Sequence, residues 1–103
     1  MPEKNQDVWQ KIADKVQKFF ALYPNFVLRS EALQVLRAAK KKIAIPAGNP
    51  SGWAGGIIYA AANDRRMPLG IPELLNREAE EFFGVTMGTI RRRAARVSRL
   101  IFV

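Results

Sequence analysis

Residues 50–63 read PSGWAGGIIYAAAN, a stretch without a single charged side chain. Proline at its head suits the first turn of a helix, where a missing N–H has no intrahelical partner to lose. A helix with no polar stripe is one surrounded by other helices. Gly55 and Gly56 each cost about 1 kcal/mol of helix propensity relative to alanine. That cost is offset if their bare surface lets a neighbour approach closely. The stretch therefore predicts a central helix, and the flanking segments must supply its partners.

Both flanks are helical in pattern. Asp7 is expected to cap a first helix, DVWQKIADKVQKFFALY, in which Val8, Ile12, Val16, Phe19 and Tyr23 fall at helical spacing before Pro24 ends it. Ser30 is expected to cap a second, EALQVLRAAKKK, with Leu33, Leu36 and Ala39 on one side. The segment IAIPAGNP, with two prolines and a glycine, reads as a connection. Beyond the central helix, DRRMPLGIP is a second connection, leading to a fourth helix within PELLNREAEEFF that Gly84 breaks. A last helix runs from about residue 86 to 102, with Thr86 as its N-cap. No run has the period of a strand, and there is no internal repeat or linker. The expectation is a single all-α domain over residues 1–103.

The totals narrow the chemistry. Of 103 residues 49% are hydrophobic, enough for a real core. Cysteine and histidine are both absent. That removes disulfides, thiolate chemistry, the usual general base near neutral pH and the commonest metal ligand. Glu78, Glu80 and Glu81 stand without a nucleophile or a convergent glycine loop, and GGIIYAAAND lacks the spacing and lysine of a phosphate loop. No enzyme activity, metal, cofactor or small-molecule substrate is expected. Lys and Arg number 17 against 9 Asp and Glu, a net charge of +8 and a pI near 10.5. Such an excess points to a polyanionic partner. No apolar run approaches the roughly 18–20 residues that cross a bilayer, and the polar N-terminus MPEKNQDVWQ is unlike a signal peptide. A soluble cytoplasmic protein is expected, nucleoid-associated if it binds DNA.

The excess charge concentrates near the C-terminus, in residues 84–99, GVTMGTIRRRAARVSR. On a wheel of about 100° per residue, Met87, Ile90, Ala94, Val97 and Ile101 gather on one face, which must be the core side. Thr89, Arg92, Arg96 and Arg99 gather opposite, flanked by Arg91 and Arg93, and no acidic residue occurs after Glu81. Glu80 and Glu81, late in the preceding helix, are placed to restrain these arginines. A short helix, a glycine turn and a basic amphipathic helix compose a helix-turn-helix pattern. In such a pattern the second helix enters the major groove. Arginine there donates two parallel N–H groups to guanine O6 and N7, or one to phosphate. A solvated helix face is the plainer reading of the same arginines.

Two stretches add a resemblance. PSGWAGGIIYAAANDR resembles the central helix of the cyclin-like repeat in the transcription factor IIB family, through Pro50, Ala54, Ile58, Tyr59 and Ala61. REAEEFFGVTMGTIRRR is similar to that repeat's helix-turn-helix, through Glu78, Gly84, Val85, Thr89, Ile90 and Arg91. The resemblance, clearest from about Asn49 to Val97, implies a five-helix cyclin-like bundle whose last two helices dock on duplex DNA, with Thr89, Arg91 and Arg92 near it. Members of the family usually carry two repeats and a zinc ribbon, whereas this chain has one repeat and no cysteine. Ala79, Glu80, Phe82 and Phe83 also depart from the family's pattern in size.

Thr89 and Arg92 are thus the expected base-edge contacts, and Arg91, Arg93, Arg96 and Arg99 the expected phosphate contacts. Lys40, Lys41 and Lys42, together with Arg65 and Arg66, are further phosphate candidates, which would fix register without reading sequence. The lysines equally suit the negative end of their own helix. Trp9, Trp53, Phe19 and Phe20 read as core rather than base-stacking platforms. The alternative to a DNA-binding module is a protein-interaction module for an acidic partner or a transcription assembly, favoured by the apolar ending LIFV. Membrane attachment is weaker, since the core needs the apolar face of the basic helix.

Overall fold

A computed structural model describes residues 2–44, 46–64 and 74–101, and these form five α-helices and no strand. The helices are α1 (Pro2–Leu22), α2 (Phe26–Lys42), α3 (Pro50–Asp64), α4 (Asn76–Phe83) and α5 (Met87–Ile101). Arg65, Arg66, Pro72, Glu73, Phe102 and Val103 lie outside the described residues.

Two helices start earlier than their expected caps. Helix α1 begins at Pro2, and Asp7 lies within it, exposed. Nothing between the two residues breaks a helix, and proline's fixed φ suits a first turn. Helix α2 begins at Phe26, with Asn25 as its cap: the Asn25 Oδ1 accepts a hydrogen bond from the Leu28 N–H at 3.1 Å. Ser30 therefore falls inside the helix, on its exposed side. The added turns bury Leu28, and the helix buries Ala32 and Val35 as well as the expected Leu36 and Ala39, with Leu33 half-buried at the edge of the core. Helix α4 is shorter than its sequence window, with the Leu75 N–H donating to Glu78 Oε1 at 3.0 Å just ahead of it.

Helix α3 is central. It packs against each of the other four, most extensively against α5. Trp53, Ile57 and Ile58 on it are completely buried, beside Ile12, Val16 and Phe19 of α1 and Ile90 and Val97 of α5. Both tryptophans are core residues with satisfied indole N–H groups. Trp9 donates to the Ile43 carbonyl at 3.2 Å and Trp53 to the Ala47 carbonyl at 2.8 Å. Phe19 stacks on Phe83 at 5.6 Å between ring centroids and meets Phe82 edge-on, which fastens α4 to α1.

The bare surface of α3 is filled by side chains of α4 and α5 at Gly55 and by the α5 backbone itself at Gly56. A Cβ placed on Gly56 would lie 2.5 Å from the Arg93 Cβ and 3.0 Å from the Ala94 amide nitrogen. One placed on Gly52 would lie 3.3 Å from the Thr89 methyl. The pairs Gly52–Thr89 and Gly56–Arg93 advance together, so α3 and α5 run in the same direction across their contact. No helix among the described residues is long and apolar enough to cross a membrane.

Candidate nucleic-acid interface

Helix α5 is held at its start by three hydrogen bonds of different origin. Gly84 ends α4 in the left-handed region (φ 67°), with its N–H bonded to the Glu80 carbonyl at 2.8 Å. The chain then reaches Thr86, whose Oγ1 accepts from the Thr89 N–H at 3.3 Å and whose carbonyl accepts from the Ile90 N–H at 3.1 Å. This is the N-cap that the sequence predicts. The third bond is less legible: Glu80 Oε2 accepts from the Met87 N–H at 2.8 Å. The carboxylate thus sits at the positive end of α5. It binds backbone, not the arginine side chains it was expected to restrain.

The apolar face of α5 is placed as the wheel requires, with Met87, Ile90, Ala94 and Val97 buried and Ile101 packed at the edge of the core. On the outward side Arg91, Arg92, Arg96 and Arg99 are exposed. Their only described polar contact is from Arg92 Nη2 to Thr89 Oγ1, at 3.1 Å, so none of them is engaged by a described carboxylate. Gly88 and Ala95 are exposed between them and keep the helix surface low there.

Thr89 and Arg93 are placed differently from the other candidates. Both are half-buried, on the flank of α5 that meets α3. The Arg93 guanidinium carbon lies 4.6 Å from the Trp53 ring centroid, a cation–π geometry. Its Nη2 comes within 2.7 Å of where a Cβ on Gly48 would stand, a residue with φ of 87°. Arg93 therefore spans from α5 to the loop before α3. Thr89 turns its methyl to Gly52, while its hydroxyl takes a 3.4 Å contact from Thr86 Oγ1 and the bond from Arg92. The Thr89–Arg92 contact has the three-residue spacing of helix neighbours and could have been found in the sequence. The Arg93–Trp53 stack depends on how α3 crosses α5 and could not.

Lys40, Lys41 and Lys42 are exposed in the last turn of α2, a helix that packs against both α3 and α5. Arg65 and Arg66 lie outside the described residues. At the other end of α2, Phe26, Val27, Ser30, Glu31 and Gln34 line a shallow depression of about 390 Å³. Phe26 and Val27 are strongly exposed there, as is Leu22 at the end of α1. Among the described residues no group of three or more His, Cys, Asp or Glu side chains could hold a metal ion. Comparison of the chain with protein-family models, with curated proteins and with solved structures finds no match.

Proposed function

We propose that this chain is a DNA-binding module of the transcription-factor kind: a cyclin-like helix-turn-helix domain that sets α5 in the major groove of duplex DNA. One observation carries the reading. Arg91, Arg92, Arg96 and Arg99 project into solvent from one helix, and no described carboxylate neutralises them. In a protein of net charge +8, such a face would draw affinity from release of the counterions condensed on DNA. The α4–turn–α5 unit, braced by Glu80, would present the first turns of α5 to base edges. Arg92, with Thr89, would then lie at the bases, and Arg91, Arg93, Arg96 and Arg99 at phosphates. Lys40 to Lys42, with Arg65 and Arg66, would extend the phosphate contacts.

Aromatic placement favours duplex over single-stranded partners. Binding of single strands relies on exposed aromatic platforms. Among the described aromatic residues only Phe26 is exposed, and α5 carries none. The test is an NMR titration of the isotopically labelled protein with random-sequence duplex DNA. Shifts confined to residues 86–99 and to the lysine cluster are the expected result, and a silent titration rejects the reading.

A second reading rests on a different surface. Leu22, Phe26 and Val27, exposed by 64%, 87% and 53%, favour a protein partner seated at the α1–α2 corner. A pulldown that yields a stoichiometric protein partner, with no DNA retained at physiological salt, would select it.

A further inference from the structure

We infer that α5 reads a guanine in the major groove through Arg92, and that Thr89 is the positioning residue that aims it. The inference rests on the duplex-DNA reading of this face and assigns that face a target. Four exposed arginines share the outward side of α5, yet only the guanidinium of Arg92 is tied to the protein, by its 3.1 Å bond to Thr89 Oγ1. Thr89 is itself held twice. Its methyl lies against Gly52 of α3, and its oxygen takes the contact from Thr86 Oγ1 at 3.4 Å. The buried central helix thus fixes a hydroxyl, and the hydroxyl fixes a guanidinium.

That chain of contacts separates two kinds of arginine. Arg91, Arg96 and Arg99 have no described partner and can track phosphates wherever the backbone runs. Selection of a base needs a planar fork held in one orientation, because the O6 and N7 acceptors of guanine are met by two parallel N–H groups. With one Nη2 hydrogen committed to Thr89, Arg92 retains N–H groups on its outer edge for such a pair. Its position is suitable as well. Arg92 lies in the first half of α5, the part of a recognition helix that reaches base edges. The neighbours on its outward line, Gly88 and Ala95, are exposed and too small to hold the helix away from the groove floor.

The experiment selects duplexes from a pool with a randomised centre, then measures competition by the preferred sequence and by one with 7-deazaguanine at the selected position. Wild type, Thr89→Val, Thr89→Ser and Arg92→Lys, each as the whole 103-residue chain, are compared at one salt concentration. Valine keeps the methyl against Gly52 and removes only the hydroxyl, and lysine keeps the charge and removes the fork. Wild type is expected to prefer guanine over the other bases at one position by roughly 5- to 100-fold, and to lose that preference with 7-deazaguanine. Thr89→Val and Arg92→Lys are expected to lose it with normal DNA as well, while binding random duplex with the salt dependence of wild type. Thr89→Ser, which keeps the hydroxyl without the methyl, is expected to retain a weakened preference above that of Thr89→Val, an order that loss of packing alone would not produce. A Thr89→Val protein with wild-type preference, or a wild type that binds duplexes without base preference, overturns the inference and leaves the DNA reading standing. A wild type that binds no duplex overturns both.

Discussion

Gly56 and Gly88 both sit in helices, and replacement by alanine should move stability in opposite directions. Either substitution gains up to about 1 kcal/mol of helix propensity. At Gly56 the new methyl would meet the Arg93 Cβ at 2.5 Å and α5 backbone at 3.0 Å, so two helices must separate. Overpacking of that kind costs about 1–3 kcal/mol. Gly56→Ala is expected to be destabilising by about 1–2 kcal/mol net, read as a lower urea midpoint at unchanged slope. At Gly88 the nearest atom would be Thr86 Oγ1 at 3.6 Å, an ordinary contact. Gly88→Ala is expected to stabilise by about 0.5–1 kcal/mol on the same measurement. The role of Gly56 is legible in the sequence, because a glycine amid alanines and isoleucines calls for a packing reason. The half-burial of Thr89 is not. A wheel places it about 100° from Ile90, and only the side from which α3 approaches determines what lies over it.

Among the elements, the α4–α5 pair depends on one carboxylate more than on propensity. Helix α4 spans Asn76–Phe83, too short to persist without tertiary support. Its support comes from Phe83, stacked on Phe19, and from Glu80, bonded to the first amide of α5. Glu80→Ala is expected to destabilise the protein by about 1–2 kcal/mol, the size of a lost N-terminal cap with its charge. Amide exchange should quicken first at Met87. Glu81→Ala, at an exposed neighbour, is the control and should fall within about 0.5 kcal/mol of wild type. Some helix boundaries are marked in the sequence and others are not. Thr86 identifies the start of α5 as its cap, and Pro50 identifies the start of α3, where Asn49 Oδ1 just ahead of it accepts from the Ser51 N–H at 2.9 Å. The start of α2 offers two caps, Asn25 and Ser30. The choice goes to Asn25 because the longer helix buries Leu28, a tertiary gain that no local pattern displays.

For the molecule as a whole, the charge is unevenly distributed between backbone and solvent. Of the carboxylates, Glu78 and Glu80 are bonded to backbone, while Arg91, Arg96 and Arg99 are left to solvent. A surface of that composition interacts with a polyanion through the number of phosphates it neutralises, and that number is measurable. Each phosphate contact contributes about −0.9 to the slope of log affinity against log salt concentration. With Arg91, Arg96 and Arg99 and two of the three α2 lysines engaged, the expected slope on random duplex is about −4 to −5. Arg96→Gln with Arg99→Gln should make it shallower by about 2, with affinity falling alike for all sequences. Lys40→Gln with Lys41→Gln and Lys42→Gln should also flatten it if a duplex on α5 reaches the end of α2. An unchanged slope in that triple variant would confine the contact to α5. Binding that is tight yet indifferent to salt would mean that charge does not hold the partner. The apolar corner of Leu22, Phe26 and Val27 would then be the surface to which the partner belongs.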